Sequence, residues 1–202
     1  MTQLLHGGSS LAMKSELDLF SLPATQVSCE SSFFAEIYPK DTITDNGPYE
    51  FEIPRDPMFL DLSKNYLYMK LSITKQDGTA IAVPQAAADA QATPPHGVST
   101  INLLGKTFIK PLKLFLSDKL IYDSGDMYSY KSYIETMLSH NLESKLTYLQ
   151  GAMYYQDEAG KMEGTENTGF QERGEIIKGS RQFEVLAAIH CDMFNQEQLL
   201  LS

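Results

Sequence analysis

The sharpest pattern along the chain is a period of two between Tyr66 and Thr74. Leu67, Met69, Leu71 and Ile73 fall on one side, and Tyr66, Tyr68, Lys70, Ser72 and Thr74 on the other. Successive side chains of a strand point to opposite faces, so this alternation predicts a half-buried strand. The same period recurs where Tyr49, Phe51 and Ile53 alternate with Glu50 and Glu52, and again at Phe183, Val185, Ala187, Ile189 and Cys191 within Phe183–Met193. Further strands are expected over Phe33–Tyr38 and over Ile109–Ser117, the latter with Leu112, Leu114 and Leu116 on one face. A bend at Ser117-Asp118 then returns the chain along Lys119–Tyr122, a hairpin. Turns are expected at Asp45-Asn46-Gly47-Pro48 and Asp77-Gly78, where Asn, Asp and Gly tolerate positive φ. The apolar run Leu199 to Leu201 has no turn signal after it and reads as a strand cut short.

A different period governs one stretch. Tyr130, Tyr133, Ile134, Met137 and Leu138 fall at i, i+3, i+4, i+7 and i+8, which predicts a short helix with a single apolar stripe. Ser129 is its expected N-cap, and the helix is expected to lie across an edge or end of the sheets. Leu146–Tyr155 is mixed, helix then strand. Residues 84–97 are rich in Ala and Pro and read as an exposed loop. Residues 157–181, with Gly160, Gly164, Gly169, Gly174 and Gly179, read as a second long loop. Residues 1–30 read as an extended N-terminal arm, and residues 31–202 as the folded domain, incomplete at its C-terminal end. Many short strands, long loops and one short helix predict an all-β fold, two packed antiparallel sheets arranged as a jelly roll.

Composition narrows the functions. The net charge is -10 and no basic arm stands at the N-terminus, which argues against direct nucleic-acid binding. Cys29 and Cys191 are far apart and have no Cys-x-x-Cys partner, so neither a zinc site nor a disulfide framework is expected, and the chain reads as made in a reducing compartment. Met1 to Lys14 has no long apolar run of the secretory kind. No stretch approaches the roughly 20 apolar residues of a membrane span.

Catalytic chemistry finds little footing. No Gly-x-Ser-x-Gly elbow is present. The histidines His6, His96, His140 and His190 sit in an arm, a loop, a helix end and a strand. His190 adjoins Cys191, but adjacent strand residues point to opposite faces and cannot couple within one strand. Glu50 and Glu52 stand about 7 Å apart by strand rise, a spacing common on any solvated acidic strand. Asp118, Asp123 and Asp126 lack the spacing of a calcium loop and fit turn chemistry. No catalytic, cofactor-binding or metal-binding residue is assigned.

Several stretches in fixed order carry a resemblance. They are Lys14 to Gln26, Gly47 to Phe51, Phe59 to Ser63, Tyr130 to Leu138, Gly179 to Phe183, and Ile189 to Phe194. Together they resemble the major capsid proteins of Polinton/Maverick elements and their adintovirus-like relatives, over nearly the whole chain. The resemblance implies a double jelly-roll subunit forming trimeric capsomers, of which this chain holds the first roll. It also implies contact with other capsid proteins, and a place in the virion, with assembly in the host cytoplasm or nucleus. The family commonly has Asn-Gly where Ser117-Asp118 stands here, and the segment Asp192 to Gln196 also departs from its pattern.

The expected function is therefore that of a non-enzymatic structural subunit that works by self-association. Leu17, Leu19 and Phe20 in the arm are the expected subunit contacts. A minor, penton-type capsid protein is the near alternative. A jelly-roll module binding carbohydrate or protein is the other, with Tyr66 and Tyr68 as stacking faces.

Overall fold

The computed structural model describes residues 31–44, 47–84, 96–162, 166–195 and 199–201. Leu17, Leu19 and Phe20 lie outside the described residues, as do most of the Ala/Pro-rich loop and the first half of the Asp45–Pro48 turn. The chain divides into two units, Met1–Pro54 and Arg55–Ser202.

In the first unit a single bridge, Pro39 to Phe51, is the only strand-like pairing among the described residues. It is supported by Lys40 N–H donating to the Glu50 carbonyl at 2.7 Å and by a Lys40–Glu52 ion pair at 3.1 Å. Gly47 takes the positive φ of 63° that the turn demands. The expected strands over Phe33–Tyr38 and Tyr49–Ile53 do not form ladders. Phe33, Tyr38, Tyr49, Phe51 and Ile53 stay exposed, and among the described residues of this unit no second layer covers them.

The second unit is organised by a ladder of two distant strands. β1 is Phe59–Leu60, β2 is Tyr66–Leu71, β5 is Phe183–Ala188 and β6 is Leu200–Leu201. β2 and β5 pair antiparallel from Tyr66↔Ala188 to Leu71↔Phe183. As the alternation predicts, Leu67, Met69 and Leu71 turn inward while Phe183, Val185 and Ala187 are buried. Tyr66, Tyr68, Leu186 and the cross-strand pair Lys70–Glu184 (3.3 Å) face out. β1 and β6 pair antiparallel outside that ladder. The expected hairpin is also present, as β3 (Lys113–Leu116) and β4 (Lys119–Asp123). Its turn puts Ser117 at φ 47° and Asp118 at φ 63°, the two left-handed residues of a tight hairpin. A register shift between Leu114 and Phe115 breaks the expected single apolar face, so Leu116 points to solvent.

The jelly roll is not there. Among the described residues the strands form three separate two-stranded ladders, β1–β6, β2–β5 and β3–β4, and no pair of facing sheets. Helices fill the remainder: α1 (Leu104–Thr107), α2 (Tyr128–Ser139), α3 (Leu142–Leu146) and α4 (Thr168–Ile177). The protein is a mixed helix-and-strand fold.

The clearest cause of the difference is α4, which lies inside the segment expected to be a glycine-rich loop. Its glycines allow close packing and do not break it. A Cβ on Gly169 would stand 2.5 Å from the Gln156 carbonyl oxygen, and one on Gly174 would stand 2.7 Å from the His96 Cβ. Asn167 caps α4, its side-chain oxygen accepting from Phe170 N–H at 3.3 Å. Asn141 caps α3 in the same way through Ser144 N–H at 2.9 Å. Leu146–Tyr155 resolves into a 3₁₀ turn, Tyr148–Ala152, followed by buried Met153 and Tyr154 with no strand.

The core lies where α1, β5 and that 3₁₀ turn meet. One cluster joins Leu103, Leu149, Ala152, Tyr154 and Ala187, with Tyr133 and Met137 against it. A second joins Leu104, Met153, Ile177, Phe183 and Val185, with Met69, Leu71 and Ile73 behind.

Candidate functional site

Helix α2 is rotated relative to the stripe its sequence predicts. Tyr128, Ser132 and Thr136 are its buried residues, while Tyr133 and Met137 pack at the rim of the core. Tyr130, Ile134 and Leu138 point away from the core, and Leu138 is 82% exposed. Met127, at the start of the helix, is exposed as well. These four positions make a continuous apolar ridge on the solvent side. Leu142, Leu146 and Tyr148 extend the exposed apolar surface beyond the end of α2. The two segments are tied by Lys145 Nζ donating to the Met137 carbonyl at 2.9 Å and by His140 and Tyr148 ring contact at 5.8 Å.

The cause of the rotation is visible on the buried side. α1 packs close against α2, and Lys106 of α1 is only 6% exposed. Its Nζ donates to Thr136 Oγ1 at 2.9 Å. A slot that must satisfy an ammonium or amine selects a hydroxyl over Ile134 or Leu138. Burial pushes the Lys106 pKa down from its ordinary value. Below the ordinary lysine range the unfolded chain holds a proton that the folded protein resists, so Lys106 destabilises the fold at neutral pH, and this penalty disappears above that range. Lys106→Met is expected to raise stability near pH 7 by about 1–2 kcal/mol. The gain should shrink as pH climbs into the lysine range; thermal melts at both pH values would show it, and no gain at neutral pH would refute it.

Two polar clusters join distant segments, one on α2 and one on α4. His190 Nε2 bonds the Glu135 carboxylate, and His190 N–H donates to the Tyr128 hydroxyl at 2.9 Å. Burial raises the Tyr128 pKa. Lys131 donates to Asp192 at 2.8 Å, and that bond holds the Asp192 carboxyl below the usual carboxylate range. Cys191 is fully buried. His190 and Cys191 therefore do not form a catalytic couple: the imidazole bonds a carboxylate on α2 and the thiol is enclosed. The second cluster is built on Asp157. Its carboxylate accepts from Arg173 Nη2 at 2.8 Å, Asn167 Nδ2 at 2.8 Å and Asn102 Nδ2 at 3.0 Å. Arg173 also donates to the Thr100 and Tyr155 carbonyls at 3.0 and 3.1 Å. These groups have their hydrogen-bonding capacity spent on one another, which is the signature of a structural tie.

The remaining sequence candidates separate in space. Glu52 pairs with Lys40. Asp123 accepts from Gly125 N–H at 2.8 Å and Asp126 pairs with Lys110 at 3.3 Å, which is turn and surface chemistry. His96 is fastened to α4 through Gln171 and Glu175. His140 Nδ1 meets the Thr136 carbonyl at the end of α2. Among the described residues no group of three or more His, Cys, Asp or Glu is placed to hold a metal ion. No helix among them is long and apolar enough to cross a membrane. The ridge on α2 is the feature sequence reasoning missed. Tyr130, Ile134 and Leu138 are in the predicted stripe and Met127 is not, and the signal that could have split the stripe is the Ser132/Thr136 pair at spacing four.

The chain is similar to an uncharacterized protein of Caenorhabditis elegans, with 28% identity over 183 residues. The match covers 90% of this chain and 41% of that relative, so the chain spans well under half the relative's length. No protein-family model matches the chain. No solved structure matches it.

Proposed function

We propose that the chain is a non-enzymatic structural subunit of the capsid type, acting by burying apolar surface against copies of itself. The observation that supports this reading is the exposed apolar ridge Met127, Tyr130, Ile134 and Leu138, continued by Leu142, Leu146 and Tyr148. Soluble monomers rarely leave contiguous apolar patches beyond a few hundred Å² uncovered, and larger ones mark interaction surfaces. The ordered motifs shared with Polinton/Maverick capsid proteins support the class and suggest a trimeric capsomer that meets other capsid proteins in a virion. The jelly roll is no part of this reading, which rests on surface and motif order. Several charged groups are also tied to one another, as in Arg173–Asp157, Lys131–Asp192 and Lys40–Glu52.

Light scattering across a roughly hundredfold dilution series tests it directly, because association follows mass action. The expected result is a mass that rises with concentration in multiples of the chain. A monomer throughout the series sinks the proposal.

A further inference from the structure

We propose that residues 189–195 form a strap that opens on its own while the rest of the unit stays folded, and that its closure keeps the Cys191 thiol out of reach. The segment follows β5 and holds neither helix nor strand. Neither core cluster draws a residue from it. Two of its backbone bonds close on the segment itself, Phe194 N–H to the Cys191 carbonyl at 2.9 Å and Asn195 N–H to the Asp192 carbonyl at 3.2 Å. Cys191 is its one buried residue and is fully enclosed. A thiol so enclosed is inert until something uncovers it.

Side chains fasten the strap to the unit. Ile189 N–H donates to Asn65 Oδ1 at 3.3 Å, and His190 N–H to the Tyr128 hydroxyl at 2.9 Å. Two ion pairs then reach α2: His190 with Glu135, and Asp192 with Lys131 at 2.8 Å. Lys131 Nζ also stands 5.9 Å from the centre of the Tyr122 ring of β4. Lys131 and Glu135 are four residues apart, so both pairs grip one side of the helix. The carboxylates are open to water, with the Asp192 side chain 70% exposed and that of Glu135 43% exposed. Exposed pairs are weak singly and are screened by salt. β5 is held differently, by its ladder to β2 and by Phe183, Val185 and Ala187 in the core. The fastening thus changes from ladder and core to rim ion pairs where β5 ends. Opening free energies differ across such a boundary, so the strap can lift without β5.

Reactivity of the thiol tests this. A chain with Cys29→Ser keeps Cys191 as its one cysteine. Dithiodipyridine reports exposure, because the thiolate forms a mixed disulfide with one half of the reagent and releases the other as absorbing thiopyridone. At pH 7 the labelling rate is expected to stay flat through low urea, the mark of an opening that exposes little surface, and to climb only in the unfolding transition. Lys131→Ala and Glu135→Ala keep α2 intact, because alanine is the strongest helix former. Each is expected to speed labelling about two- to fivefold. Salt at about 1 M is expected to speed the parent chain as well. Ile177→Val is the control. It weakens the core in the strap-open and strap-closed forms alike, so the urea midpoint should fall while labelling keeps the parent rate. Labelling that rises with urea in step with whole-chain unfolding, α2 variants labelled at the parent rate, or an Ile177→Val chain accelerated as much as they are would each overturn the strap.

Discussion

Arg173→Ala is expected to lower stability by about 3–5 kcal/mol, the cost of stranding one member of a buried ion pair. Its side chain is 3% exposed and that of Asp157 is 11% exposed. The guanidinium satisfies three acceptors on three separate segments: Thr100, Tyr155 and Asp157. Removing it leaves the Asp157 carboxylate in the interior with only amide donors from Asn102 and Asn167. Arg173→Lys is expected to rescue little, since a single ammonium cannot reproduce the planar fork. Arg173→Leu combined with Asp157→Ala should cost less than Arg173→Ala alone, because no uncompensated charge remains. Urea unfolding monitored by circular dichroism measures all three. A loss under about 1 kcal/mol for Arg173→Ala would mean that the pair does not hold the fold together.

The second large effect is expected at Gly105, where α1 meets β5. A Cβ there would stand 2.7 Å from Val185 Cγ1, 2.8 Å from Ala187 Cβ and 3.3 Å from Ala152 Cα. Those atoms belong to both core clusters, so α1 cannot shift without opening one of them. Gly105→Ala gains about 1 kcal/mol of helix propensity but loses more to overpacking, for a net loss of about 1–2 kcal/mol. Gly105→Val adds two further methyl groups and forfeits the propensity gain, and is expected to cost about 3 kcal/mol. Gly151 supplies the control. Its nearest neighbour to an added Cβ is the Leu186 carbonyl oxygen at 3.6 Å, ordinary contact distance, so Gly151→Ala should fall within about 0.5 kcal/mol of the wild type. Equal effects at both glycines would contradict the packing described.

Much of the strand pattern was legible. β2, β5 and the β3–β4 hairpin all carry alternation or a turn signal that local chemistry enforces. What those strands pair with was not legible, because alternation specifies a buried face and is silent on whether a sheet or a helix covers it. In this protein helices and turns cover it: Leu104 of α1, Met153 after the 3₁₀ turn, and Ile177 of α4 lie against Val185 and Phe183. α4 was hidden because Gly169 and Gly174 look like loop residues until their neighbours are known. α2 was found, but its orientation was not. Apolar periodicity places Ile134 and Leu138 inside, whereas the amine of Lys106 requires the hydroxyl of Thr136 there. The bond from His190 to Glu135 joins residues of distant segments with no local signature. The arm contacts Leu17, Leu19 and Phe20 lie outside the described residues, so the surface proposed here is a different one.

The nesting of the long-range ladders has a kinetic meaning. β2–β5 encloses α1 to α4 and the hairpin, and β1–β6 encloses β2–β5. Hairpin and helices can form from neighbouring residues within microseconds, but the two outer ladders must bring together residues more than half the chain apart. Maturation of this unit is therefore expected to proceed from the inside outward, with the joining of its two flanks as the last event. Until then the backbone edges of β2 and β5 are open to any strand that arrives first, including one from a neighbouring, equally unfinished chain.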